Sequence, residues 1–199
     1  MPDTQRGRPR EFDPDAALDA AMSLFWEKGY DATSVGELCD AMGIARQSMY
    51  DWVGDKKALY LKTLERYCTT RICGLRDMLA MPGSPLGNLW HCLHAMAEFA
   101  KQPESIGCFL TNAQSEFGVS DPDVLAHTQQ VETFITEAFQ DVLDRAKDVG
   151  EISASADTAA LASAIAVLRN GLMVAGRSGQ SKESIDQTIR LIEGMLKAE

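Results

Sequence analysis

Apolar residues recur at steps of three and four along almost the whole chain, and runs in which β-branched and polar residues alternate are absent. The pattern predicts an all-α fold. Asp13 followed by Pro14 reads as an N-cap and first helical position, and Gly29 as the stop of a helix whose Ala17, Leu18, Ala21, Met22, Leu24 and Phe25 share one arc. Ser34 with Glu37 three positions on forms a capping-box pattern that starts a short second helix, which ends at Gly43. A third short segment runs from Ala45 to Val53 and is closed by Gly54. Asp55 then caps a long fourth helix carrying Leu59, Leu61, Leu64 and Tyr67 toward Met81. After the Pro82-Gly83-Ser84-Pro85 linker, helices are expected over residues 86–101, 105–117, 122–149, 157–176 and 181–197.

Two short helices joined by a glycine-containing turn behind a longer supporting helix make a helix-turn-helix pattern. The expected organisation is a flexible basic arm over residues 1–12, an N-terminal three-helix head over 13–60 and a larger helical body over 61–199. In such a head the second short helix enters the major groove of DNA. Arg46 and Gln47, near its start, are the expected base readers, because arginine pairs with guanine and glutamine with adenine. Ser48, Tyr50 and Trp52 can donate to phosphates, as can Thr33 and Ser34 at the start of the preceding helix. Met49, Trp52 and Val53 can equally close the small core. Arg6, Arg8 and Arg10 suit an arm that enters a narrow minor groove, or a solvated tail.

Composition sets limits on this picture. With 45% apolar and 24% charged residues over 199 positions, the chain can bury a core. A basic start without a following apolar stretch reads as cytoplasmic, and the apolar segment 157–176 is interrupted by Arg169 and Asn170, so no membrane span is expected. Five cysteines, an odd number without CxxC spacing, argue for reduced thiols rather than a disulfide framework or a structural zinc site. His91, His94 and Glu98 share a helix face, but a solvated polar face is expected there, with no metal and no cofactor. The net charge of −10 counts against general affinity for nucleic acid. Residues 1–62 hold 8 basic and 11 acidic residues, and residues 63–199 hold 11 and 18. Weak non-specific binding follows, with DNA affinity resting on a few placed cations.

The series Gly7-Arg8-Pro9-Arg10-Glu11-Phe12-Asp13, Ala21 to Gly29-Tyr30, Thr33-Ser34, Gly43-Ile44, Tyr50 and Lys56-Lys57-Ala58-Leu59 resembles the TetR/AcrR family of bacterial transcriptional regulators. The resemblance implies that Tyr50 and Lys56 contact phosphates, and that the body binds a ligand and dimerises. Two positions depart from the family pattern. Ala45 stands where a serine or threonine cap is common, and Asp51 places a carboxylate in the recognition helix. The Gly107-to-Ala113 string is similar to a segment of some TetR-like regulators that sense electrophiles or oxidants through a cysteine; a buried structural role for Cys108 stands beside that one. Thr111 and Asn112 share with Cys108 an uncharged polar face that suits a cavity lining or helix packing, and Trp90 borders an apolar stripe as a pocket or core residue.

In the segment 157–176, Leu161, Ile165, Leu168 and Leu172 form one stripe, and Val167, Gly171 and Val174 another. A helix apolar on two sides is buried on two sides. With Ile185, Ile189, Ile192 and Leu196 it suits a four-helix interface with a second copy, whose two-fold symmetry would match a palindromic operator. The expected function is a homodimeric, ligand-responsive regulator of transcription that binds double-stranded operator DNA, most often a repressor, released by a small-molecule or electrophile inducer. The alternative is an all-α small-molecule-binding protein or enzyme without DNA binding. Against an enzyme, no Ser/His/Asp order, phosphate loop or HExxH is present, and His127 has no evident partner in sequence.

Overall fold

The computed structural model describes residues 12–196, with side chains through Gly194, and every regular element among them is a helix. The all-α expectation holds. Two compact units divide within the fourth helix, between Arg66 and Tyr67, rather than after residue 60. Arg6, Arg8 and Arg10 lie outside the described residues.

The first unit contains α1 (Pro14–Lys28), α2 (Val35–Met42), α3 (Arg46–Val53) and most of α4 (Lys56–Tyr67). Asp13 caps α1 by accepting from the backbone N–H of Asp15 and Ala16. At α2 the capping box is complete: the Ser34 hydroxyl accepts from Glu37 N–H, and the Glu37 carboxylate accepts from Ser34 N–H. Gly43 adopts φ +65°, the left-handed conformation that ends α2 and turns the chain into α3. Phe25, Leu38, Met49, Leu59 and Leu64 meet in a core from which solvent is excluded. Arg66 forks across both carboxylate oxygens of Asp19 at 2.8 and 2.9 Å, fastening α4 to α1.

Beyond Tyr67 the expected single helix is broken. A π-helical turn, Cys68–Ile72, intervenes before the short α5 (Gly74–Leu79). Thr69, Thr70 and Ile72 are β-branched and crowd an α-helical turn, and Gly74 follows them.

In the second unit, α6 (Pro85–Ala100), α8 (Pro122–Asp148) and α9 (Thr158–Arg177) pack on one another, with α7 (Phe109–Phe117) against α8 and α9 and α10 (Lys182–Leu196) against α6. Leu89, Leu93, Phe109, Leu110, Ile135, Phe139 and Leu143 are fully enclosed there. α7 begins at Phe109 rather than near residue 105, because Gly107 takes φ +72° and the Ile106 carbonyl accepts from Asn112 Nδ2 and Arg177 Nη1 instead of entering a helix. Cys108 is therefore the N-cap residue, not part of the first turn. Near its C-terminus α9 presses on the end of α6. A Cβ at Gly176 would lie 2.7 Å from the Ala100 carbonyl oxygen, so only glycine fits.

α9 is long and apolar enough to cross a membrane. Here one side packs inward through Ala162, Ile165, Ala166, Leu172 and Met173, and Arg169 is buried against Glu132 of α8. The other apolar side is uncovered in the single chain: Val167 is 71% and Val174 50% exposed, alongside exposed Ala160, Ala164 and Gly171. On α10, Ile185, Ile189 and Ile192 are buried, while Leu191 is 66% exposed. The Leu196 side chain lies outside the described residues.

Candidate nucleic-acid interface

Burial divides α3 into two faces. Met49 and Val53 anchor it in the head, and Arg46, Gln47, Tyr50 and Asp51, at helical spacing, form its exposed arc. This arc is what the head presents. Arg46 projects over the first turn of α2, where its Nη2 would lie 3.9 Å from a Cβ at Gly36. That is ordinary van der Waals distance, so an alanine at 36 would fit beside the guanidinium. Gln47 Nε2 donates to Asp51 Oδ1 at 2.8 Å. The bond uses one of the two amide N–H groups and leaves the other and Oε1 free, so the unusual carboxylate orients the expected base reader without using up its donor and acceptor.

The α3 N-terminus carries no side-chain cap, since the Ala45 methyl cannot accept a hydrogen bond. Ser34 is exposed at the start of α2. Thr33 differs from expectation: its side chain is fully buried and its hydroxyl donates to the Gly29 carbonyl at 2.6 Å, so it bridges the α1–α2 turn and presents no hydroxyl to a phosphate. Trp52 is half-buried and meets Phe12 edge to face at 5.2 Å, which fits the core-closing side of its two readings. Ser48 is half-buried beside it, and Tyr50 is 41% exposed. Lys56, at the first turn of α4, rests its ammonium 4.1 Å from the centre of the Tyr30 ring.

The α1–α2 corner that supports α3 is charge-linked. Lys28 Nζ sits 2.7 Å from Glu37 Oε1, and this bond, with those from the Ser34 N–H and hydroxyl, holds the Glu37 carboxyl down at about 2. A carboxyl depressed in the fold stabilises it above its unfolded value near 4.5, and that contribution is lost as pH falls from there toward 2. Glu37→Gln is expected to lower the thermal midpoint at pH 7, with wild type and variant converging near pH 2 in a pH series of melting curves.

In the body, the four residues expected to bind a ligand are placed as follows. Cys108 is 3% exposed and its Sγ accepts from the Tyr67 hydroxyl at 3.3 Å; burial and the neighbouring thiol push that phenol well above the usual tyrosine range. Thr111 Oγ1 donates to Asn170 Oδ1 of α9, and Asn112 holds the Ile106 carbonyl, so their polar face is used in packing. Trp90 is half-buried on α6. None of the four borders the cavity of about 730 Å³ that opens on α7 and α8 and is lined by Gln114, Leu125, Thr128, Glu132, Thr136 and Gln140 among others. Behind its Glu132 wall lies a polar cluster that the sequence did not reveal. Glu132 Oε1 receives Arg169 Nη2 at 2.5 Å and Gln114 Nε2 at 3.2 Å, while Arg169 also donates to Asn170. Arg169 alone was visible as a charge inside an apolar helix; its partner lies 37 residues away. All five cysteines are free, and among the described residues no group of three or more His, Cys, Asp or Glu is arranged to hold a metal.

A recognition helix with an exposed arginine, glutamine and tyrosine, set by a left-handed glycine turn against a capped supporting helix, defines a helix-turn-helix DNA-binding regulator. Residues 17–63 match the family model described as bacterial regulatory proteins, tetR family, and residues 85–192 match the tetracyclin repressor-like C-terminal domain. The chain belongs to the TetR family of transcriptional regulators, which are not enzymes. It is 32% identical over 158 residues to the uncharacterized HTH-type transcriptional regulator YezE of Bacillus subtilis (strain 168), covering 78% of this chain and 81% of that one. It is 28% identical to the HTH-type transcriptional repressor ComR of Escherichia coli (strain K12), covering 96% and 94%. Among solved structures, a cysteine mutant of the TetR family transcriptional regulator CifR complexed with 26-base-pair operator DNA superposes with a TM-score of 0.80 at 26% identity, covering 92% of this chain and 98% of that one.

Proposed function

We propose that the protein is a homodimeric repressor that holds a palindromic operator through two α3 helices and is released by a small molecule entering the body. The observation that carries this reading is the uncovered stripe of α9 from Ala160 to Val174, apolar and small. Such a stripe costs free energy in water and suits the same stripe on a second copy, because a two-fold axis pairs identical surfaces. The operator-bound CifR structure supports double-stranded DNA as the partner, and the name of ComR supports repression. Residues for DNA are Arg46, Gln47, Ser48, Tyr50 and Lys56, with Ser34 at the α2 start and the arginines of the arm. The protein acts in the cytoplasm.

For the inducer, the reading is a small molecule or an electrophile that binds in the body, with Cys108, Thr111, Asn112 and Trp90 as its expected lining, at a place apart from the α7–α8 cavity. It releases DNA only by as much as it binds the released state more tightly. The test is titration of the intergenic DNA upstream of the gene at several salt concentrations. Arg46→Ala is expected to cost about 1–3 kcal/mol of operator affinity by fluorescence anisotropy, mostly as lost discrimination between bases. Equal binding of operator and scrambled DNA by the unmodified protein would overturn the reading.

A further inference from the structure

Arg169 is 3% exposed, and among the described residues its Nε is the one buried side-chain nitrogen or oxygen without a hydrogen-bond partner. Buried donors are paired almost everywhere in proteins, so an unpaired one calls for a cause. Nε and Nη2 lie along one edge of the guanidinium, the edge that holds a carboxylate side-on through two parallel bonds. Glu132 engages the group through a single oxygen: its Oε1 accepts from Nη2 at 2.5 Å and from Gln114 Nε2 at 3.2 Å, while Nε is left over. Gln114 and Glu132 also line the α7–α8 cavity, so the guanidinium stands behind that stretch of its wall. The remaining lining includes Leu125, Val119, Thr136 and Gln140, and a volume of about 730 Å³ is the size of a small-molecule site.

We propose that the α7–α8 cavity binds small organic acids, the ligand's carboxylate taking the Nε–Nη2 edge of Arg169 and displacing Glu132 toward the cavity mouth. Two bonds to the guanidinium then replace one, and the stranded Nε gains its acceptor. Glu132 can give way because its side chain is 21% exposed, whereas Arg169 is enclosed and stays. Gln114 Nε2 can donate to either carboxylate, and the carbon chain of the ligand lies along Leu125 and Val119. A cationic ligand is disfavoured, since both carboxylates of the lining are already paired, Glu132 with Arg169 and Glu137 with Arg76. The site is separate from the lining expected around Cys108, and the proposal stands whether or not the dimeric-repressor reading does.

Sodium butyrate and butyramide, matched in size but not in charge, are titrated into the full-length protein at constant ionic strength, with the thermal midpoint and the heat of binding as readouts. Butyrate is expected to raise the midpoint saturably and butyramide to leave it unchanged. Glu132→Gln removes the competing carboxylate while keeping its shape. That variant is expected to bind butyrate about ten-fold tighter than the original protein and to regain lost stability as butyrate is added. Glu132→Leu with Arg169→Met removes the guanidinium without stranding a charge, and it is expected to bind no butyrate. Butyramide matching butyrate, or the double variant binding butyrate as the original does, overturns the proposal. So does the absence of saturable butyrate binding in both the original protein and Glu132→Gln.

Discussion

Replacing Val167 with aspartate is expected to give a folded monomer whose operator affinity is about a hundred-fold weaker or more. Val167 is 71% exposed in the single chain, so a carboxylate there meets water and leaves the inward side of α9 undisturbed. In a two-fold dimer the substitution enters the interface twice, burying two unpaired charges where small and apolar side chains would otherwise pack. Loss of the second head removes the intramolecular step that makes bivalent binding tight, an effect of about 10²–10⁴ in affinity without any change in contacts to DNA. Light scattering would report the mass and anisotropy the affinity. A dimer of unchanged mass would show that the α9 stripe is covered by something other than a second copy.

The second large effect is expected at Glu132. Truncating it to alanine strands Arg169, which is 3% exposed and whose Nε already lacks a partner among the described residues. Breaking a buried ion pair from one side costs about 3–5 kcal/mol, and the 21% exposure of Glu132 places the expected loss near the lower end, at about 3 kcal/mol by urea unfolding. The double replacement Glu132→Leu with Arg169→Met is expected to recover most of that loss, because it removes both charges and fills their space with apolar groups. A single variant as stable as the original would mean that water or another group already balances the guanidinium.

The head was legible because its signals are local. Asp13, Ser34 with Glu37, and Gly43 each act within a few residues, and each acts in the structure as its sequence position implies. Where sequence reading went astray, a longer-range or subtler preference decided. The run Thr69-Thr70 with Ile72 breaks a helix whose apolar spacing alone continues, and Gly107 with Arg177 holds the 105–108 segment out of α7. Thr33 reads as a polar residue at a helix start, yet its hydroxyl is spent on Gly29. The body's chemistry was the least legible part. Glu132 and Arg169 lie on different helices and are made neighbours only by packing.

The missing cap of α3 bears on how DNA is held. The first N–H groups of a helix have no acceptor within it, and Ala45 supplies none from a side chain. Out of contact with an operator, those amides are left to water. A backbone phosphate docked there accepts from the same N–H groups and meets the positive end of the helix dipole. In the proposed complex the nucleic acid would supply the cap that Ala45 does not. Sites that seat a phosphate at that point gain an advantage independent of their bases, so operator choice depends on backbone geometry as well as on hydrogen-bond pattern.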